Sequence, residues 1–250
     1  MTRETDMRKV IVTISAYNEE RNLGGILDKL KTIQIPGCEL ATVVVDDGSS
    51  DGTYELSRRI GAHTLRHHVN LGQGHAVLTG FKAALLMAKS GDVIIEMDGD
   101  GQHNPDELHL FLEKMEQGHY DIVVGSRILG SNYDGAPFFR KKFLPVYTNI
   151  INRLTGYMMT DAMCGYRAFR ASSLMKVSSV FDDMLEPQYL AAEMFLRFSR
   201  AGLTVGEVPI HLKERSSGMS YKGFVRYGLG VLKAIIKTFL DRSYHSLGKQ

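Results

Sequence analysis

Along the first half of the chain, short runs of consecutive apolar residues alternate with longer stretches whose apolar positions recur at helical spacing. This pattern predicts strands covered on both faces and helices covered on one. The apolar runs place strands at Lys9–Ile14, Ala41–Val45, His63–Arg66, Asp92–Met97 and Asp121–Gly125. The intervals read as helices at Glu20–Ile33, Asp51–Ile60, Gly74–Ala88 and Pro105–Gln117. Strand and helix in regular turn is the pattern of a doubly wound α/β core, a mostly parallel central sheet flanked by helices. Beyond Arg127 the rhythm loosens. A helix is predicted at Val146–Thr155 and another at Pro187–Arg200, with "DAMCGYRAF" between them and "TVGEVPIHL" after. The stretch Gly223–Arg242 sets an apolar face against Arg226, Lys233, Lys237 and Arg242, charges that make it a poor membrane span.

Open parallel sheets bind ligands outside the carboxyl ends of their strands, where loops lead into helix N-termini. The polar clusters of this sequence fall at those ends. "SAYNEE" follows the first strand, "DDGSSDGT" the second, "NLGQGHA" the third, "DGDGQ" the fourth and "GSR" the fifth, so five loops are expected to converge on one cleft.

Within "DGDGQ", Asp98, Asp100 and Gln102 occupy alternate positions, which on extended backbone turns all three side chains to one side. Hard oxygen ligands so spaced suit Mg²⁺ or Mn²⁺ shared with a phosphorylated ligand, since such ions commonly take one or two carboxylates and complete their shell with phosphate oxygens. An isolated Asp-Gly-Asp is more often a solvated turn, and the core strand that leads into this one argues for the site. Asp46 and Asp47 emerge in the same way from Val43–Val45. An acid there can accept hydrogen bonds from a ribose or a base, while Ser50 or Asp51 can cap the next helix. "NLGQGHA" matches neither a dinucleotide fingerprint nor a P-loop and reads as a tight turn into a helix. Arg127, Arg140, Lys141, Lys142, Arg215 and Lys222 are the cations available to phosphate oxygens, with Arg127 placed by the end of its strand. His67, His68, His75 and His103 lack metal-ligand spacing and read as surface or packing residues.

Thirty basic against 28 acidic residues in a 250-residue chain give a formal charge of +2, which offers a nucleic acid no global attraction. Cys38 and Cys164 are too far apart for a metal finger or a disulfide framework, so a reducing cytoplasm is expected. The apolar run near the N-terminus, about six residues, is too short for a signal-peptide core.

In this order and spacing, "AYNEE", "VVVDDGSSDGT", "NLGQGHA", "EMDGDGQHNPDEL", "YDIVVGSR", "DAMCGYRAF" and "GEVPIHLKERSSGMSYKG", followed by the basic tail, resemble a known family. It is that of the nucleotide-sugar-dependent glycosyltransferases of family 2, with the GT-A (Rossmann-like nucleotide-diphospho-sugar transferase) fold, and within it the dolichol-phosphate mannosyltransferase-like branch. The resemblance implies a base and ribose pocket lined by Ala16, Tyr17 and Glu19 with Asp46, and a divalent cation, Mg²⁺ or Mn²⁺, held by Asp98, Asp100 and Gln102. It implies that Arg127 and Arg140 bind an acceptor phosphate and that Arg215 and Lys222 close over the donor diphosphate. Residues 1–218 would form the catalytic domain and 219–250 an amphipathic helical tail at a membrane interface. Two departures stand out: Ser15 replaces the family's usual Pro, and Tyr221 intervenes between Ser220 and Lys222 in the closing loop.

The implied reaction moves a hexose, from GDP-mannose or a UDP-sugar such as UDP-glucose, to a dolichyl or other polyprenyl phosphate with inversion. The cation would stabilise charge on the departing diphosphate. A phosphate monoester, with a second pKa of about 6, is already a nucleophilic dianion and needs cations rather than a base. A hydroxyl acceptor would need a base, for which Asp161 and Glu193 are the candidates. Peripheral contact with the cytoplasmic face of a membrane and a membrane-protein subunit are the partners expected. The competing readings are a family 2 enzyme with a saccharide or lipid-linked hydroxyl acceptor, a nucleotidyltransferase, and a non-catalytic GT-A module that regulates a partner.

Overall fold

A computed structural model of the chain describes residues 7–130, 138–213 and 224–241, with backbone alone described at 138–143 and 224–227. Seven strands form one sheet: β1 (Arg8–Ala16), β2 (Cys38–Asp46), β3 (His63–Arg66), β4 (Val93–Asp98), β5 (Ile122–Ser126), β6 (Arg167–Arg170) and β7 (Val205–Pro209), in the order β3-β2-β1-β4-β6-β5-β7. The helices are α1 (Glu20–Thr32), α2 (Thr53–Ile60), α3 (Gln73–Met87), α4 (Leu108–Gln117), α5 (Phe138–Thr155), α6 (Ala171–Lys176), α7 (Leu190–Arg200) and α8 (Phe224–Leu240).

β1 lies at the heart of the sheet and pairs in parallel with both β2 and β4. Val10, Ile11, Val12 and Ile14, like Val43–Val45 and Val93–Ile95, are buried, because helices cover both faces of the sheet. Chain punctuation follows local chemistry. α2 ends at Gly61, whose φ of +93° places it in the left-handed region, with Gly61 N–H bonded to Arg58 O and Ala62 N–H to Ser57 O. Asp51 lies two residues before the helix proper: Oδ1 accepts from Thr53 N–H and Oδ2 from Glu20 N–H, which ties α1 and α2 together at their N-termini.

Five departures from the sequence pattern stand out. Neither β6 nor β7 was predicted as a strand. β6 enters the sheet antiparallel between β4 and β5, and the other pairings are parallel, so the sheet is mostly parallel as expected. The short run of β6 carries Arg167 and Arg170, whose charges mask the pattern, although Arg167 is buried against Glu96 at 3.0 Å. α5 begins at Phe138, eight residues before the predicted start, and runs through Pro145, which costs one N–H but does not end the helix. α6 is too short to show a period. The predicted helices at 105 and 187 begin as 3₁₀ turns, Pro105–Glu107 and Pro187–Tyr189, which then pass into α4 and α7.

At the edge of the sheet opposite the acidic loops, Asp92 is buried and each carboxylate oxygen takes a backbone N–H, Oδ1 from Lys9 at 2.7 Å and Oδ2 from Lys89 at 2.6 Å. Asp92→Ala is expected to leave both donors without partners and to cost about 2–4 kcal/mol of unfolding free energy. Denaturant titration checks this, and a change below about 0.5 kcal/mol would show that water replaces the carboxylate.

Candidate active site

The strand ends are laced together by backbone. β1 delivers Ser15 and Ala16 to its carboxyl end; Gly99 N–H donates to Ser15 O at 3.0 Å and Asp47 N–H to Ala16 O at 2.8 Å. These two bonds hold the "DDGSSD" and "DGDGQ" loops on either side of β1. The "AYNEE" loop is stitched to the first of them, since Asn18 N–H donates to Ser49 Oγ and Asn18 Oδ1 accepts from Ser50 N–H. Glu19 is buried beside them, with Asn22 Nδ2 on its Oε2 and its own N–H on Thr53 Oγ1. Gly48, at φ +75°, lies so close to the 69–70 backbone that a Cβ there would come within 2.6 Å of the Val69 carbonyl carbon.

The two acids that follow β2 divide the work. Asp46 is fully buried; Oδ1 accepts from Ser49 N–H, and Arg66 Nε lies 3.0 Å from Oδ2 without aiming its N–H at it, leaving that oxygen without a directed hydrogen bond. Arg66 in turn donates to Ser49 O and lies over the Tyr54 ring at 4.8 Å. Asp47 is structural: it accepts from Leu71 N–H, Gly72 N–H and, at 2.7 Å, His67 Nδ1, so it shapes the glycine loop that leads into α3. His67 also meets Thr79 through Nε2, a packing role as expected.

At the end of β4, Asp98 and Asp100 are partly exposed, and Gly165 of the "DAMCGYRAF" segment lies against Asp98 so closely that a Cβ would come 3.0 Å from Oδ2. Gln73 Nε2 donates to Asp98 Oδ1 at 2.5 Å. Gln102 joins the loop through backbone: its N–H donates to Asp100 Oδ1, and its carbonyl accepts from Lys213 N–H at 2.8 Å. That last bond brings the chain to the acidic loop two residues before Arg215. Arg215 and Lys222 lie outside the described residues, and of Arg140, in the first turn of α5, only the backbone is described. Tyr17 is partly exposed beside buried Ala16.

Arg127, just past β5, is gripped by Asp161, with Nε–H on Oδ2 at 2.6 Å, Nη2–H on Oδ1 at 2.8 Å and its backbone N–H on Oδ2. Asp161 is fully buried and is itself set by Glu207, which accepts from the Thr160 and Asp161 amides. Glu193 is equally buried and accepts from Leu185 N–H, Glu186 N–H and Arg197 Nε–H. Neither candidate base is presented as one. Sequence reasoning missed the Arg127–Asp161 pair and the Gln73–Asp98 bond, which join positions 34 and 25 residues apart and leave no local trace.

Among the described residues no group of three or more His, Cys, Asp and Glu side chains forms a metal cage. Two carboxylates at a strand end, closed by glycines 99 and 165, fit instead a hard cation that takes the rest of its shell from a bound diphosphate.

A family model of glycosyl transferase family 2 matches residues 11–178. The chain belongs to that family. It is 33% identical over 219 residues to the undecaprenyl-phosphate mannosyltransferase of Micrococcus luteus, covering 85% of this chain and 86% of the relative. To the polyprenol monophosphomannose synthase of Mycolicibacterium smegmatis it is 32% identical over 222 residues, covering 85% and 80%. Among solved structures, glucosyl-3-phosphoglycerate synthase from Mycobacterium tuberculosis in complex with Mn²⁺, uridine diphosphate and glucosyl-3-phosphoglycerate superposes with a TM-score of 0.62 at 18% identity, over 93% of this chain and 79% of that one. The protein is a glycosyltransferase with the GT-A fold.

One site residue carries a pH signature. His103 is buried, stacked on Tyr166 with ring centroids 4.9 Å apart, and its Nδ1 accepts from Asp98 N–H at 3.2 Å, so the neutral ring is the one that fits. Burial pushes its pKa down from 6.5 to about 4, against the pull of Asp100. Between those values the unfolded chain binds the proton and the folded chain does not, so His103 stabilises the fold fully above pH 6.5 and less as pH falls toward 4. The loss is expected to reach about 3 kcal/mol. Unfolding titrations at pH 7.5 and 4.5 check it: His103→Gln should lose less stability on acidification than the native chain, and an equal loss would assign the effect to other groups.

Proposed function

We propose that this glycosyltransferase moves a hexose, from GDP-mannose or a UDP-sugar such as UDP-glucose, to a polyprenyl phosphate such as dolichyl phosphate, with inversion at the anomeric carbon. The observation that carries the acceptor is the state of Asp161 and Glu193: both are buried and already hydrogen-bonded, one to Arg127 and the other to Arg197. A hydroxyl nucleophile would need such a base, whereas a phosphate dianion needs only cations to place it. The names of the two bacterial relatives support the same acceptor class and a mannosyl donor.

In this reading Ala16, Tyr17, Glu19 and Asp46 receive the nucleoside, and Asp46 Oδ2, which has Arg66 Nε 3.0 Å away but no directed hydrogen bond, would accept from it. Asp98 and Asp100, with Gln102 closing their loop, would hold Mg²⁺ or Mn²⁺, whose Lewis acidity stabilises the charge on the leaving diphosphate. Asp161 pre-orients Arg127 and offsets part of its charge, so attraction for a dianion draws also on Arg140 and the neighbouring lysines. Arg215 and Lys222 would cover the diphosphate. Residues 1–218 form the catalytic unit and 219–250 the tail that meets a membrane surface, at its cytoplasmic face, with or without a membrane-protein subunit. Among the described residues no helix is long and apolar enough to cross a membrane, while α8 exposes Leu229, Ile236 and Leu240.

Incubation with Mn²⁺ or Mg²⁺, labelled GDP- and UDP-sugars and short polyprenyl phosphates should move label to the organic phase, and EDTA should abolish it. Asp100→Ala is expected to keep the circular dichroism of the fold and to lose transfer by at least about a hundredfold; near-native activity would remove the metal from the reading. Arg140→Ala should raise the KM for the lipid phosphate about tenfold or more and leave that for the donor nearly unchanged. An unchanged acceptor KM would move the acceptor site elsewhere.

A further inference from the structure

Gln73 lies outside every motif role assigned above, yet it is the side chain that reaches across from α3 to the acidic loop of β4. Its backbone is fixed from three sides. Before it, Leu71 and Gly72 donate their N–H groups to Asp47. On either side of it, Gly72 and Gly74 are pressed against the Pro187–Tyr189 turn: a Cβ on Gly74 would lie 1.5 Å from Pro187 O, and one on Gly72 would lie 2.2 Å from Gln188 Oε1. A larger residue at Gly74 would have to move the backbone of that turn, and at Gly72, whose φ of +96° already disfavours any side chain, the Gln188 side chain would have to swing away. The amide that Gln73 offers is therefore delivered by a rigid frame, and it meets Asp98 Oδ1 at 2.5 Å, while Oδ2 of the same carboxylate lies along Gly165.

We propose that Gln73 is a positioning residue for the divalent cation. By donating to Oδ1 it fixes the rotamer of Asp98, so that this carboxylate is already turned for the ion and needs no ordering when it binds. The inference rests on the metal reading given above. Hydrogen bonds that orient a ligating carboxylate set the affinity of the ion, and their removal commonly costs ten- to a hundredfold. A residue that served only to pack α3 would act on stability instead.

The test is Mn²⁺ titrated alone into the full chain and followed by water-proton relaxation, beside the Mn²⁺ dependence of transfer and a thermal melt. Gln73→Leu removes the donor and is expected to weaken Mn²⁺ about ten- to a hundredfold. The KM for Mn²⁺ should rise in proportion, kcat at saturating Mn²⁺ should stay within about threefold, and the melting temperature should hold. Gln73→Asn keeps the amide but falls short by one methylene; it should weaken Mn²⁺ in the same way and serves if the leucine variant does not fold. His75→Ala, at an exposed position on the same helix, should change nothing. Mn²⁺ affinity within about twofold of the native chain in both Gln73 variants, or a kcat loss that saturating Mn²⁺ does not restore, overturns the proposal. If the native chain itself binds no Mn²⁺, the metal reading falls and this one with it, whereas unchanged binding in the variants removes Gln73 alone.

Discussion

Two backbone hydrogen bonds hold the active edge of this molecule together. Ser15 O and Ala16 O, the last carbonyls of β1, take the amides of Gly99 and Asp47, one from each neighbouring loop. Because β1 is flanked by β2 and β4 in parallel register, with Ala16 opposite Asp46 and Ser15 opposite Asp98, these bonds continue the ladder one step beyond the sheet. They convert three strand ends into one rigid surface. The carboxylates of Asp46 and Asp98 are thereby held on either side of β1, in a frame whose other face is core.

Concentrating acids at such an edge is costly, since burial and mutual repulsion both disfavour the charged forms. The structure offsets this with a different device for each acid. Asp47 spends its charge on three donors from the loop it shapes, and Asp46 is neutralised by Arg66, which is itself braced on Tyr54. Glu96, one strand repeat behind Asp98, is paired with buried Arg167, yet burial still raises its pKa to about 7. Asp98 and Asp100 keep partial exposure, and on their side the polar partners include neutral groups, the amide of Gln73, the ring of His103 on Asp98 N–H and the backbone of Gln102. Neutral partners such as these orient a carboxylate without bringing a positive charge of their own, which suits the proposed cation site.

How much of this the sequence disclosed follows from the range of each interaction. The parallel strands were legible because Val10–Ile14, Val43–Val45 and Val93–Ile95 are covered on both faces and so read as unbroken apolar runs. The strand-end acids were legible because a polar residue directly after such a run marks the edge of the sheet. β6 was not, because its two arginines find partners only in the folded chain: Arg167 on Glu96, 71 positions away, and Arg170 on Glu116 and the Tyr120 carbonyl. Position 161 could be named from the sequence as an acid near the site, but its role was not visible there; only the grip on Arg127 shows that the carboxylate orients a cation and is unavailable as a base. Asp47 leaves the same strand as Asp46, and although the family resemblance singled out Asp46, the bonds of Asp47 to the glycine loop could be seen only in the folded chain.

The tail connects to the same frame. α8 buries Val231, Ala234 and Ile235, and its Gly230 lies where a Cβ would come 1.8 Å from the Tyr189 ring. Lys233 and Lys237 converge on Glu186 at 2.9 and 2.5 Å, and the next residues, Pro187 and Gln188, are the ones packed on Gly72 and Gly74. The apolar contacts of this chain of packing are buried and fix the helix. The two ion pairs are exposed on the lysine side, and exposed pairs contribute little to stability. If the tail meets an anionic surface as proposed, the lysines would exchange Glu186 for its phosphates with little loss, while Val231, Ala234 and Ile235 keep α8 in place. The proposed interfacial tail and a tail packed on its own enzyme are thus compatible: one face of the helix supplies the packing, and its charges and the exposed Leu229, Ile236 and Leu240 would be left to meet a membrane surface.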